Sequence, residues 1–590
     1  MKSQFLLKYI LRNPIFWVGC VMLLLGIAIM SFHGPHWRNS IINSDGRGYY
    51  YFLPAVSTSD NTFEKTLQSE QKIVGKDAPQ LYILKTEEGL AVNKCYPGVA
   101  ILQSPFYATA TLVDWIGGKN FDGYSDNHLI FFFFGSLLYV FLSILFFQKV
   151  LAIYFESSKY TWLVSIALIF ATNVWYHGFF YGGLSHHYSL FLFSLFCWNI
   201  LRYKRDYKMK FLIYLGIILG LLFLVRPTNM MILAILPFLF KTRDSFLGAL
   251  KKILQVRNGQ LAGFISAFLT ILMLLPLITY WQTGHFFYWS YQGEGFDFSG
   301  KHLLETWISY RIGIFVHAPI ALLSIIGLVY WLRTNRYLFV SWILPFITIT
   351  YVLSSWWCWD YQSFFGHRGF IEFQFLFTFP LIVTLQIIRN SVVKYGLLTL
   401  VFGYMGIRSY QCVSGVYPKQ RFTAYTYWKS ILDFNYKIPN KYSILYNCQP
   451  FGTVVSTKEL VPTELKNQKY DGSIEFGQGL TYHLKDRRRN IRYFFEFHLT
   501  KQLLEDSDWK DIEIIFAAQN KKEEQVYYYA FPLYSFYKEG KEKAIDFEIQ
   551  EEVYPYANSS EKIGFYIWNR AKKQFKINDF SVVVKKIAIK

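Results

Sequence analysis

Residues 1–40 read MKSQFLLKYILRNPIFWVGCVMLLLGIAIMSFHGPHWRNS. Three cations, Lys2, Lys8 and Arg12, precede an apolar run over 15–32. That run is long for the apolar region of a signal peptide. The His33-Gly34-Pro35-His36-Trp37 stretch behind it offers no small-residue cleavage site. It is therefore expected to remain as a first membrane span, with the N-terminus in the cytoplasm. Further apolar stretches follow near 129–147, 161–176, 188–201, 211–225, 228–240, 261–280, 313–332, 337–353, 371–387 and 395–410. The expectation is a polytopic membrane protein of about eleven transmembrane helices. Several stretches are shorter than the ~20 residues a bilayer requires. Only Arg226 and Pro227 separate 211–225 from 228–240, which reads as a short hairpin.

Charge gives the orientation. The segments assigned to the cytoplasm (1–14, 148–160, 202–210, 241–257, 333–336 and 388–394) hold 19 Lys and Arg. The four short outer connections hold four: Arg226, Lys301, Arg311 and Arg368. This bias follows the positive-inside rule and predicts a C-terminus outside the cytoplasm. Two large outer segments result, a loop over 33–128 with an amphipathic stretch at 96–116, and the tail.

Composition agrees. Hydrophobic residues make up 53% of the 590 residues and charged ones 17%, against about 25% charged in a soluble domain. Six cysteines exclude a disulfide scaffold. The net charge of +20 does not indicate nucleic acid. Residues 441–590 hold 24 basic and 21 acidic groups, and the remaining excess lies in the apolar part. No nucleic-acid motif accompanies it. The tail carries short Tyr-, Phe-, Ile- and Val-rich segments at 491–498, 511–518, 525–534, 544–549, 564–568 and 580–586. Such spacing predicts an extracytoplasmic β-sandwich or jelly roll over 441–590, joined by a linker at 411–440 to a membrane domain at 1–410. Its ending, Phe565-Tyr566-Ile567-Trp568-Asn569, resembles the last strands of carbohydrate-binding jelly rolls; a sandwich without a sugar site stays open beside that.

Charged groups at the outer margin of a membrane are costly to bury and mark candidate sites. Asp45 lies in Asn43-Ser44-Asp45-Gly46-Arg47-Gly48-Tyr49-Tyr50, a dozen residues past the first span. A carboxylate there can accept a proton from an acceptor hydroxyl. Equally, Ser44 or Asp45 could cap the following helix. Arg226, Arg311 and Arg368 arrive from separate outer loops. Their planar guanidinium forks suit phosphate oxygens, or pair with carboxylates such as Glu294, Asp297, Asp360 or Glu372. The Trp356-Trp357-Cys358-Trp359-Asp360 cluster reads as an interface belt or a sugar-facing wall. Tyr49, Tyr50, Lys94, His186, Glu294, Tyr310, Trp356, Trp357, Asp360 and Glu372 are the candidate substrate contacts. His186 and His187 are adjacent and point to different helix faces, so no metal site is expected. Cys95, Cys412 and Cys448 fall on the outer side without a spacing that pairs them. No phosphate-cradling glycine loop, dinucleotide fingerprint or nucleophile elbow occurs.

These pieces resemble the GT-C superfamily of integral-membrane glycosyltransferases, which includes protein O-mannosyltransferases and aminoarabinose transferases, and more narrowly a Bacteroidetes-type branch. The resemblance spans about 1–410. It rests on Ser44-Asp45-Gly46, Tyr96-Pro97-Gly98, Leu184-Ser185-His186, Leu224-Val225-Arg226-Pro227-Thr228-Asn229, Gly293-Glu294-Gly295, Ser309-Tyr310-Arg311 and the 354–372 stretch. It implies an enzyme of the bacterial cytoplasmic membrane with its site on the outer side. A polyprenyl-phosphate-linked sugar would be the donor, and a glycan or glycolipid the acceptor. Asp45 would be the base, or would position the acceptor, and the three Arg would hold the donor phosphate. Many members carry a second acidic residue where this chain has Gly46, which weakens any metal requirement. No cofactor is expected, divalent metal is unsupported, and oligomeric state is undefined. A transporter or flippase of lipid-linked or polar solutes, and an inactive scaffold, are the alternatives.

Overall fold

In the computed structural model the chain forms two compact units, Met1–Ser409 and Tyr410–Lys590. The structure describes residues 14–32 and 41–413, except 75–81, 87, 120–121, 157, 256–258, 292–293, 301, 311 and 362–364. Beyond 413 it describes 427–428, 431, 453–460, 468–477, 479–486, 491–502, 512–519, 521, 523, 525–532, 544–553, 561–570, 572 and 574–588. The predicted linker lies almost wholly outside these residues, and the last helix of the first unit, Ser391–Val413, runs into its start.

The first unit is helical. Each of the eleven apolar stretches falls on helix. Among the described residues, five helices are long and apolar enough to cross a membrane, and a sixth candidate is a bent pair, Thr161–Phe170 and Val174–Phe180, kinked by 60°. Met209–Val225, Pro227–Leu239 and Ile320–Thr334 are apolar but shorter. The longest helix, Asp126–Tyr154, starts at Ser125, whose side chain accepts the His128 backbone N–H. Aromatic side chains fill the centre: Phe147 stacks on Phe375 at 4.9 Å, and Phe193 meets Phe373 at 5.1 Å.

Two 3-10 runs begin where the sequence placed its candidate cations. Met209–Val225 ends at Arg226, which is extended, and Pro227 opens a 3-10 run to Ile235. Proline fits there because the first helical N–H has no partner to lose. Arg368 likewise opens the 3-10 run Arg368–Phe377 after extended His367. At such breaks the chain leaves the regular ladder, and the side chain is presented at a helix end.

The 33–128 loop is ordered into short helices at Gly46–Tyr50, Phe52–Ser57 and Glu64–Val74, a two-stranded hairpin of β1 (Ile83–Lys85) and β2 (Ala91–Asn93), and the helix Gly98–Ile116. Glycines let this loop pack backbone to backbone on the membrane helices. A Cβ on Gly46 would lie 2.8 Å from the Gly183 Cα, and one on Gly98 would lie 2.3 Å from the Val225 nitrogen. The first contact sets Asp45 beside the start of the Ser185–Asp206 helix; the second sets the hairpin's exit against Arg226.

Among the described residues the second unit has nine antiparallel strands: β3 (Thr453–Leu460), β4 (Gln468–Asp471), β5 (Leu480–His483), β6 (Ile491–Gln502), β7 (Ile512–Gln519), β8 (Gln525–Pro532), β9 (Ala544–Val553), β10 (Lys562–Asn569) and β11 (Gln574–Ala588). One sheet runs β5-β10-β7-β8; the other runs β3-β11-β6-β9, with β4 also on β11. Alternate residues of β10 are buried, as a strand with one covered face requires. Phe495 of β6 meets Phe516 of β7 at 5.7 Å and Phe565 of β10 at 5.3 Å, so both sheets feed one core.

Gly46→Ala and Gly183→Ala each force a methyl group into opposing backbone. Each is expected to cost about 1–3 kcal/mol, as overpacking does. Gly403→Ala, with open space around it, is expected to be neutral or stabilising. Thermal unfolding of the purified variants checks the contrast.

Candidate functional site

Asp45 occupies the N-cap position of the Gly46–Tyr50 helix, yet its side chain makes no capping bond. The carboxylate instead turns outward. Its Oδ2 lies 3.1 Å from an Arg368 Nη2, and its Oδ1 accepts from the Tyr82 hydroxyl at 3.2 Å. The geometry thus departs from the capping alternative. Burial alone would raise the Asp45 carboxyl, but Arg368, the Tyr82 hydroxyl, His186 and Arg226 outweigh it and hold it below its usual 3.8. Burial, reinforced by the Asp45 charge, drives the Tyr82 phenol upward, so it remains a donor. Tyr82 leads into β1, and its ring fits because Gly48 has no side chain; a Cβ there would meet Tyr82 at 2.8 Å.

Arg226 forms the second half of the cluster. Its Nη1 donates to Glu372 Oε1 at 3.2 Å, and lies 2.9 Å from His186 Nδ1. His186 Nδ1 is also 2.8 Å from Glu372 Oε2. The guanidinium stands over the Tyr361 ring at 5.8 Å, and Tyr361 in turn meets His367 at 5.2 Å. Side-chain exposure falls across the group, from 37% at Asp45 through 18% at Arg368 and 17% at Arg226 to 1% at Glu372. The cluster is therefore most open to solvent at Asp45.

Next to this cluster, Lys94 pairs with Glu294 and lies over the Tyr291 ring at 5.3 Å. Tyr291 stacks on Tyr96 at 6.1 Å. Tyr96 and Cys95 line a cavity of about 440 Å³ whose other walls include Phe223, Leu269, Met273, Ile278, Phe286 and Trp289. The cavity wall is largely apolar and borders the ionic cluster through Cys95, which senses the Asp45 charge. Cys95 and Cys412 are buried; Cys448 lies outside the described residues.

The structure brings Asp45, Arg226, Arg368, His186 and Glu372 together, with Tyr49 buried at the edge, its hydroxyl donating to Ser185 Oγ at 3.4 Å. Arg311 lies outside the described residues. The other candidate residues are placed as follows. Tyr50 is fully buried and donates to the Gly123 carbonyl. Lys94 and Glu294 serve each other, which leaves Glu294 paired rather than an idle second carboxylate. Trp356 packs on Phe296 at 4.8 Å, and Trp357 is exposed. Asp360 is buried near the Cys358 thiol, 3.5 Å away. Tyr310 is half-buried, and its carbonyl meets His317 Nε2 at 2.7 Å. Tyr82, Tyr361 and His367 were missed. Nothing in their local sequence marks them; only Gly48 hinted that something large approaches. Among the described residues no group of three or more His, Cys, Asp and Glu is arranged to hold a metal ion.

No family model matches the chain, and no curated protein is significantly similar to it. The functional reading therefore rests on the geometry and on the resemblance of the motifs.

The Asp45 shift has a defined sign. Its folded-state pKa lies below the unfolded value, so the Arg368 pair stabilises fully above about pH 4 and fades as pH falls through the folded pKa. The unfolding difference between wild type and Asp45→Asn is expected to be constant from about pH 8 to about pH 5 and to shrink only in stronger acid. Thermal unfolding across that range measures it.

Proposed function

We propose that the chain is an integral-membrane glycosyltransferase of the GT-C kind. It takes a sugar from a polyprenyl-phosphate carrier and passes it to a hydroxyl of a glycan or glycolipid on the outer side of the bacterial cytoplasmic membrane. In this reading the eleven apolar stretches all cross, the N-terminus is cytoplasmic, and the tail is an extracytoplasmic β-sandwich. The observation that carries it is the half-exposed Asp45 carboxylate facing Arg368, with Arg226 in the same cluster, beside an apolar cavity suited to a lipid chain.

The chemistry follows from the pairing. Each guanidinium already has a carboxylate partner, so the cluster is neutral without ligand. An arriving phosphate offers Arg368 a better, bidentate partner than Asp45 does. Loss of that pair releases the Asp45 carboxylate and removes the influence that lowers its pKa, making it a stronger base. The acceptor hydroxyl gives its proton to Asp45 while its oxygen attacks the anomeric carbon. The bond from that carbon to phosphate oxygen breaks, and the electron pair stays on the phosphate. Arg226 and Arg368 stabilise the charge that develops there. Attack opposite the leaving group inverts the anomeric centre. Glu372 and His186 hold Arg226 in place from the buried side.

Protein in lipid nanodiscs, given a panel of polyprenyl-phosphate sugars and a membrane glycolipid extract, is expected to release free polyprenyl phosphate. Asp45→Asn is expected to reduce release by at least about 100-fold, the scale of a general base. Arg368→Gln is expected to weaken donor binding as well as turnover. Release by Asp45→Asn at the wild-type rate would remove the base assignment, and no release from any donor would remove the enzyme reading.

A further inference from the structure

The helix Arg243–Gln255, RDSFLGALKKILQ, has more apolar surface than the protein covers. Its packed face holds Phe246, whose ring meets Phe240 at 5.7 Å, with Ala249 (1% exposed) and Ile253. On the flank beside it, Leu247 and Leu250 remain 45% and 38% exposed. Arg243, Lys251 and Lys252 are exposed around those leucines.

The neighbouring turn is also basic. Residues 202–210 and 241–252 together contain nine Lys and Arg but only two Asp and Glu. Asp206 is already engaged by Arg205 at 2.7 Å and by Arg202 at 3.5 Å. Rings and a carbonyl, rather than carboxylates, hold Lys204, Lys210, Lys241 and Lys252. Lys252 Nζ lies 3.7 Å from the centre of the Tyr207 ring, and Lys241 Nζ lies 4.8 Å from that of Tyr154. Lys204 donates to the Phe240 carbonyl at 3.1 Å. A ring contact orders an ammonium group without cancelling its charge. The result is a positioned basic collar in which nine cations face two carboxylates, Asp206 and Asp244.

We propose that Arg243–Gln255 is an interfacial helix and that its basic collar binds the headgroups of anionic phospholipids. Exposed leucines flanked by cations match a bilayer boundary, where apolar side chains enter the acyl region and ammonium groups meet lipid phosphates. The place in the chain agrees. The helix follows the apolar run Pro227–Leu239 and precedes the Leu261–Thr283 helix, long and apolar enough to cross a membrane. The occupant is an anionic lipid rather than an acidic soluble protein, because the leucines and cations share one boundary with those spans. The inference stands apart from the glycosyltransferase reading and survives its failure.

Native mass spectrometry of the full chain, titrated with phosphatidylglycerol and separately with phosphatidylcholine, tests it. The wild type is expected to bind phosphatidylglycerol more tightly, and to lose that preference as salt rises. Lys251→Gln with Lys252→Gln is expected to weaken phosphatidylglycerol roughly 20-fold, about fivefold for each lysine near the surface, and to leave phosphatidylcholine unchanged. Leu247→Gln with Leu250→Gln is expected to weaken both lipids. All four side chains are exposed, and circular dichroism confirms that the variants fold. Equal binding of the two lipids, or phosphatidylglycerol binding unaffected by the lysine pair, overturns the proposal.

Discussion

The two guanidinium groups of the candidate site sit largely under cover, and each needs a negative partner. Arg226 has Glu372 and Arg368 has Asp45. A cation left alone at such a position would cost several kcal/mol, so the pairs must form together with the fold. Their partners come from distant parts of the chain: the segment after the first span, the end of Met209–Val225, and the 3-10 start of Arg368–Phe377. Side chains alone cannot bring these ends together. The close backbone contacts at Gly46–Gly183 and at Gly98 with Leu224 and Val225 do so.

That constraint also accounts for the residue following Asp45. The GT-C resemblance leads one to expect a second acidic group there. Any side chain at 46 would meet the Gly183 backbone. The position is occupied by glycine because the loop must reach the Ser185–Asp206 helix, and the chain compensates by pairing its single carboxylate with Arg368 and Tyr82. The exposure gradient from Asp45 to Glu372 then separates the roles. The buried end, Glu372 with His186, fixes Arg226. The open end, Asp45 with Arg368, is the more exposed ion pair, and in the proposed reading it is where a donor phosphate would exchange with Asp45.

Helices were legible in the sequence because apolar runs of this length have few alternatives, and strands in the tail because their Tyr, Phe, Ile and Val segments are short and separated by polar turns. Breaks were less legible. Hydropathy does not distinguish α from 3-10 helix, so the irregular runs after Arg226 and from Arg368 appeared as ordinary apolar stretches. The candidate charges were found because an isolated Asp or Arg beside an apolar run stands out. Their pairing was not: Asp45 was matched to no Arg, since nothing local links it to Arg368. Tyr82 and Tyr361 are common residues in an aromatic-rich chain, and only three-dimensional placement marks them. The burial of Tyr50 and the bond from its hydroxyl to the Gly123 carbonyl were likewise not legible in its local sequence.

The central claim is that Arg226 and Arg368 form one anion site that opens when Asp45 gives up its pair. A cryo-electron microscopy map of the full chain in nanodiscs with a long-chain polyprenyl phosphate tests it directly. The account predicts phosphate density within hydrogen-bond distance of Arg368 and Arg226, the lipid chain entering the cavity between Leu269 and Phe286, and Asp45 turned away from Arg368. Phosphate density at another place, with the Asp45–Arg368 pair intact, would contradict it.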